Sequence, residues 1–344
     1  MEIKNVLVTG SDGYIGAVLV KKLIEQGFKV VAWDNQYYKD SVLGNYKLSF
    51  PVIKKDIRKT VKSDLKKMDA IIHLAALSND PLGELDAKIT EEINYLATVN
   101  LAKYAKKMGV KKFIFSSSCS IYGIAKNGIV SEKSKLNPLT AYAKSKIKSE
   151  KELKKIADKN FCVCLLRNST VYGFSPKFRT DLVVNDFTAR GFSTGEIKVL
   201  SDGTPWRPLI DVRDLSDIFI EFLKNNDKKI NGKVFNIGFK ENNFQIRDVL
   251  SIIKKELPKC KITFTGEHGK DTRSYRVNFN KFNKQFPYIK QNWTLQKSVK
   301  DLINNLRNNN FDKAQFESNI YSRIFVLKNL LERNKINKKL IWIK

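Results

Sequence analysis

The amino-acid sequence predicts an α/β fold, a doubly wound parallel sheet with a smaller C-terminal lobe. Three observations carry that prediction. Short β-rich runs alternate with amphipathic helical stretches through the first half. A glycine-punctuated turn joins the first run to the first helix, and the alternation loosens after about Leu182. Strands are expected at residues 5–8, 29–33, 52–54, 70–74, 112–116 and 162–167, and helices at 14–26, 88–107 and 141–157. A right-handed crossover for each strand–helix–strand unit winds these into one sheet covered on both faces.

Beyond residue 182 the expected elements are short: runs at 197–200, 234–237 and 262–264, and a helix at 246–256. The expected division is therefore 1–182 for the sheet domain, with returning segments near 205–240, then 183–310 for the smaller lobe and 311–344 for a helical extension. That tail is rich in Lys and Asn, yet Ile324, Val326, Leu327, Leu330 and Leu331 keep helical spacing. It reads as one packed helix with polar ends.

Composition excludes more than it assigns. The net charge of +28 raises the question of a nucleic-acid surface. The lysines are dispersed, as in Lys21-Lys22, Lys106-Lys107, Lys154-Lys155 and Lys338-Lys339, with no basic arm or aromatic-interleaved cluster. They read as solvated helix faces whose sign favours anionic ligands, so no nucleic-acid partner is expected. No apolar run is long enough to span a bilayer, and the N-terminus enters a strand directly, so a cytoplasmic protein with no membrane partner is expected. Cys119, Cys162, Cys164 and Cys260 are few for 344 residues and lack metal-ligand spacing, which fits reduced thiols and no metal.

The turn Val6-Leu7-Val8-Thr9-Gly10-Ser11-Asp12-Gly13-Tyr14-Ile15-Gly16 is suited to a dinucleotide. Gly10 permits a tight turn, Gly13 lets backbone amides approach a pyrophosphate, and Gly16 allows close helix–strand packing. The helix start adds unpaired N–H groups and the positive end of the dipole. Asp34, at the end of the second strand beside Asn35, can accept hydrogen bonds from adenosine ribose hydroxyls and would repel a 2′-phosphate, which favours NAD over NADP. The same Asp-Asn pair also suits a plain turn. Asp56-Ile57 is a candidate for the adenine edge, and Leu74-Ala75-Ala76 places small residues where a cofactor crosses the sheet edge.

Tyr142 and Lys146 stand at i and i+4 on one helix face. A phenol is a poor base at neutral pH, but a neighbouring ammonium favours phenolate, so Tyr142 can exchange a proton with a substrate hydroxyl. The serine cluster Ser116-Ser117-Ser118-Cys119-Ser120 ends a strand at the carboxyl edge of the sheet, where such folds bind ligands. One of its hydroxyls can donate to the reacting oxygen; alternatively, the serines only cap a turn.

Taken together, the stretches 9–16, 116–123 and 142–146 resemble the extended short-chain dehydrogenase/reductase superfamily, in its NAD-dependent nucleotide-sugar epimerase/dehydratase branch, with a UDP-glucose 4-epimerase-like pattern. The likeness runs from about residue 4 to 289. It implies a Rossmann domain holding NAD and a smaller lobe binding a nucleoside-diphosphate sugar. Tyr142 becomes the general base and acid, Lys146 its activator, Ser118 the hydroxyl donor and Asn94 a supporting residue. Cofactor contacts are implied at Gly10, Asp12, Gly13, Tyr14, Ile15, Gly16, Asp34, Asn35, Asp56, Ile57, Leu74, Ala75, Ala76, Asn94 and Ser116, with Tyr142 and Lys146. Substrate contacts are implied at Ser118, Ser120, Asn168, Asn185, Arg179, Arg207 and Arg273. Of these, Arg207 and Arg273 would meet the diphosphate, where each also fits a structural ion pair.

Within that branch, 4,6-dehydratases carry an Asp-Glu pair where this chain has Cys119 and Ser120. Reductases that epimerise C3 and C5 use Cys and His, whereas only His73 and His268 exist here, and His73 reads as structural. The expectation is a transient-oxidation epimerase, reacting at C4 through a keto-sugar. A net NAD-dependent dehydrogenase or ketoreductase is the alternative. A homodimer through the helices at 88–107 and 141–157 is a family-level expectation.

Overall fold

The computed structural model describes residues 3–123, 128–267 and 274–343. Seven parallel strands form the central sheet, in the order Lys233–Ile237, Cys162–Asn168, Lys112–Ser118, Ala70–His73, Asn5–Thr9, Lys29–Asp34 and Ile53–Lys54. The chain starts in the middle, winds outward to Ile53–Lys54, then returns beside Asn5–Thr9 at Ala70–His73 and winds the other way. That reversal leaves a crevice beyond the carboxyl ends of the two central strands, where ligands of such sheets bind.

Strand residues alternate between two cores. Cys162, Cys164 and Leu166 point into a core shared with Leu19, Leu23, Ile218 and Phe222. Val163 and Leu165 enter the opposite core with Leu101, Ala105 and Leu153. Burial on both faces is why this strand is an apolar run rather than an alternating one. Helices Tyr14–Glu25 and Val212–Lys224 cover the first face, and Ala97–Lys107 and Ala141–Ile156 the second. The four cysteines are buried free thiols, and burial pushes that of Cys162 up to about 12. Among the described residues no cluster suits a metal ion, and no helix is long and apolar enough to cross a membrane.

The structure departs from the sequence reading in three places. The helix at 88–107 is Ala87–Glu91 and Ala97–Lys107 joined by a π-helical turn, Glu92–Leu96. The second half holds more regular structure than expected: strand Trp206–Asp211 and helices Val212–Lys224 and Leu295–Asn308. Pro208 argues against a strand, and Asp211 serves as both last strand residue and N-cap, accepting from the Arg213 amide, so no loop residue marks the junction. The tail is not one helix but two, Lys313–Glu317 and Arg323–Glu332, followed by an end that folds back through an Ile336–Trp342 bridge.

Candidate active site

The glycine turn forms one wall of a cleft, open to solvent, at the switch point of the sheet. Gly10 has φ +73°, and a Cβ there would stand 2.8 Å from the Ala75 amide nitrogen. At Gly16 a Cβ would lie 2.2 Å from the Gly10 carbonyl oxygen, so helix and turn touch backbone to backbone. The amides of Gly10 and Ser11 both donate to the Trp33 carbonyl, at 2.8 and 3.1 Å, which fixes the turn against the second strand.

Asp34 closes that strand. Its carboxylate accepts from the Gln36 amide at 2.7 Å and the Asp12 amide at 3.0 Å, so it makes the turn and lines the cleft at once. Burial raises its pKa to about 6 against those hydrogen bonds. Asn35, Ile57, Leu74, Ala75 and Ala76 also line the cleft, whereas Ser116, Tyr142 and Lys146, implied as cofactor contacts, are not among its lining residues. A pinched glycine turn, an open helix N-terminus and a buried carboxylate at the neighbouring strand end together fit a dinucleotide such as NAD.

Farther along the same sheet edge stand the candidate reactive groups. Lys146 is 3% exposed; its Nζ donates to the Ser116 carbonyl at 2.7 Å and lies 5.7 Å from the Tyr142 ring centroid. That bond ties the helix to the end of Lys112–Ser118. Burial lowers the Lys146 pKa to about 7, with the Glu150 carboxylate opposing the shift. The Ser118 hydroxyl accepts from the Ser120 amide at 3.1 Å and caps the following turn, so it retains a proton to donate. Asn168 donates to the Ser116 hydroxyl at 2.9 Å.

Beneath these groups lies a buried network that sequence reasoning missed. Glu150 takes both a 3.0 Å and a 2.7 Å bond from Arg167 and a 2.6 Å bond from Ser117. Arg167 also donates to the Tyr122 hydroxyl, which donates to Asn236. The signal was present as Glu150, four residues after Lys146 on the same helix face.

Gly83 was missed as well. A Cβ there would stand 2.8 Å from the Tyr142 Cβ and 2.9 Å from its backbone nitrogen. Its short helix, Asp80–Gly83, also holds the start of the Tyr142 helix: Thr140 donates to Asp80 at 2.5 Å and the Ala141 amide to Glu84 at 2.6 Å. Gly83→Ala is expected to displace Tyr142 and lower kcat by about 10- to 100-fold, because small misplacements of a reacting group have effects of that size. Steady-state kinetics beside a thermal melt will separate this from unfolding; an unchanged kcat removes Gly83 from the site.

Several implied roles change on the structure. Asn185, implied as a substrate contact, is fully buried: it accepts from the Gly173 amide and donates to the Tyr14 hydroxyl and the Arg179 carbonyl. Tyr14 lines the cleft but turns its hydroxyl inward, onto the Gly173 carbonyl at 2.5 Å, and burial pushes its pKa up. Asp12 does not line the cleft; its carboxylate is paired with Lys177 at 2.7 Å. Asp56 lines it but spends its carboxylate on Arg58 at 2.5 Å. Asn94, within the π-helical turn, holds the backbone of Leu77 from both sides, at 2.8 and 3.1 Å, and so fixes the loop rather than facing the cleft.

Arg179, implied as a substrate contact, lines the cleft that holds the glycine turn, gripping Asp181 through Nε and Nη2. Arg207 is half-buried on Trp206–Asp211, and the Ser120 hydroxyl is buried. Arg273 and His268 lie outside the described residues. His73 is structural as expected, bonded to the Thr9 and Thr98 hydroxyls and held neutral by burial, which lowers its pKa to about 3.

Comparison with known proteins bears on the whole arrangement. The profile of the NAD dependent epimerase/dehydratase family matches residues 6–238. The chain is 31% identical over 261 residues to a UDP-glucose 4-epimerase of Lactobacillus helveticus, spanning 68% of this chain and 76% of that one. It is 27% identical to UDP-glucose 4-epimerase 2 of Arabidopsis thaliana, spanning 89% and 94%. Among solved structures, a UDP-glucuronic acid 4-epimerase from Bacillus cereus, in complex with UDP-glucuronic acid and NAD, superposes with a TM-score of 0.76 at 25% identity, over 88% of this chain and 99% of that one. With the profile running through the glycine turn, the serine cluster and the Tyr142 helix, the chain belongs to the NAD dependent epimerase/dehydratase family.

Proposed function

We propose that this enzyme epimerises a nucleoside-diphosphate sugar at C4 by transient oxidation to a keto-sugar. Tyr142 removes the hydroxyl proton and later returns it. Lys146 stabilises the phenolate, and the Ser118 hydroxyl holds the reacting oxygen. NAD⁺ supplies the hydride acceptor and, once reduced, the donor to the opposite face. Arg207 grips the substrate diphosphate through its guanidinium, with Ser120 and Asn168 toward the sugar.

The observation that carries this reading is Lys146 bonded to the end of the serine strand with Tyr142 one helical turn away. The position that holds a carboxylate in dehydratases supports it further. Cys119 there is buried, directs its thiol at the Arg167 carbonyl at 3.2 Å, and has its pKa pushed up by burial, so it provides neither acid nor base for elimination. The named relatives are 4-epimerases of UDP sugars. In this reading two copies pair through the side-by-side helices Ala97–Lys107 and Ala141–Ile156, beside the exposed Leu96.

Incubating the purified protein with UDP-glucose, UDP-galactose and UDP-glucuronic acid, with no cofactor added, is expected to give C4 epimers by chromatography. Absorbance should show no net NADH. Stoichiometric NADH accumulation would replace this reading with a net dehydrogenase.

A further inference from the structure

Residues beyond Phe311 do not cover the substrate lobe alone. They fold back onto the dinucleotide cleft. Leu327, Ile336 and Leu340 are buried in an apolar cluster with Ile57, Leu77, Ile89 and Ile93, of which Ile57, Leu77 and Ile93 line the cleft. The last residues then fasten to the far end of the cleft. Tyr37 donates to the Leu340 carbonyl, and Arg58 donates to the carbonyls of Lys339 at 2.8 Å and Leu340 at 3.3 Å. Trp342 donates its indole N–H to the Asn35 carbonyl at 2.8 Å and stacks on Tyr37, while the Lys54 ammonium sits 3.9 Å from its ring centroid. Leu340 takes φ +55°, a costly backbone for a bulky residue, held where those donors converge.

Arg323 opens the second tail helix and lines the cleft beside Arg179 and the glycine turn. It is 2% exposed. Its Nη2 donates to the Lys177 carbonyl at 3.0 Å and its guanidinium lies 4.5 Å from the Tyr38 ring centroid. Its Nη1 is buried with no hydrogen-bond partner in the protein, and among the described residues no carboxylate pairs with it. Arg179, by contrast, is neutralised by Asp181. The charges of Asp181 and Asp34 act on Arg323 from beyond ion-pair distance, and burial lowers its pKa to about 10. A buried guanidinium with an unsatisfied N–H gains from an anion that completes it. On the cofactor reading of the cleft, the diphosphate of a dinucleotide at the glycine turn is such an anion.

We propose that residues 311–343 form a latch over the dinucleotide cleft, and that Arg323 is a diphosphate-binding residue of the cofactor site, so that bound NAD leaves only when this segment lifts. The proposal rests on the cofactor reading of the cleft. An enzyme that regenerates its own NAD⁺ in each turnover gains from such retention. The likeness to the Bacillus cereus structure spans nearly all of that protein yet leaves about a tenth of this chain unmatched, a share comparable to the tail.

The test uses the full-length protein freed of co-purifying nucleotide, with NAD, ADP and adenosine titrated calorimetrically into wild type and Arg323→Met. Arg323→Met keeps an unbranched side chain of similar length in place, and a thermal melt of both proteins checks that the fold is kept. Arg323→Met is expected to weaken NAD and ADP by about 10- to 100-fold, the range for a hydrogen bond to a charged group, and adenosine hardly at all. Equal ADP affinity in the two proteins overturns the contact. Trp342→Ala touches no phosphate, yet is expected to speed release of labelled NAD several-fold in a chase experiment; unchanged release overturns the latch. Failure of wild type to bind NAD would instead sink the cofactor reading, and this proposal with it.

Discussion

Tyr142→Phe is expected to lower kcat by about 10²- to 10⁴-fold, the usual share of a positioned general acid–base. The substitution removes one oxygen and keeps the ring of a residue that is 9% exposed and packs its backbone and Cβ against Gly83. The fold and the NAD site are therefore expected to be unchanged, and KM should move little, because the phenol acts on the proton in flight rather than on the bound sugar. Pre-steady-state absorbance sharpens the test. In wild type a nucleotide sugar should produce a small, transient NADH signal; in the variant that signal should be nearly abolished together with epimer formation. Full turnover by Tyr142→Phe would mean that some other group takes the hydroxyl proton, and the roles given to Lys146 and Ser118 would fall with it.

How much of this was legible beforehand depended on whether a residue's role is local. The glycine turn, Asp34 and the Tyr142–Lys146 pair are each set by positions within a few residues, at a strand end or along one helix face, and the sequence carries those spacings openly. Asn185, Asp12 and Asp56 look the same in sequence whether they face a ligand or a neighbouring chain segment. Their partners, Tyr14 and Gly173 for Asn185, Lys177 for Asp12, and Arg58 reaching on to Leu340 for Asp56, are mostly distant in sequence. Arg323 is the extreme case: a residue in a Lys/Asn-rich tail, brought to the glycine turn only because Leu327, Ile336 and Leu340 share an apolar cluster with Ile57 and Leu77. Elements were readable where turn residues punctuate them, and missed where a strand with Pro208 runs straight into a helix at Asp211.

The pH dependence of kcat/KM is expected to show an acid limb centred at about 7, tenfold per pH unit, so that activity at pH 5 lies about 100-fold below the plateau. The cause is the burial of Lys146, which lowers its pKa from 10.5 to about 7. Lys146 Nζ lies 5.7 Å from the Tyr142 ring centroid, and phenol with amine and phenolate with ammonium carry the same number of protons. A base that must accept a proton requires that pair to have lost one, so activity rises with pH as the pair deprotonates. Stability moves the same way. The folded-state pKa lies below the unfolded value, so between about 7 and 10.5 the unfolded chain binds more protons and stability increases with pH. Below 7 both states hold the proton, and the unfavourable burial of the ammonium is fully present. Asp34, raised to about 6, is a competitor for such a limb, but it lines a cleft whose lining residues do not include Tyr142 or Lys146. Lys146→Arg decides between them, because a guanidinium releases no proton in this range. The limb should leave 7 in that variant; if it stays, the titrating group is elsewhere, and Lys146 serves to hold the helix against Ser116 rather than to tune its neighbour.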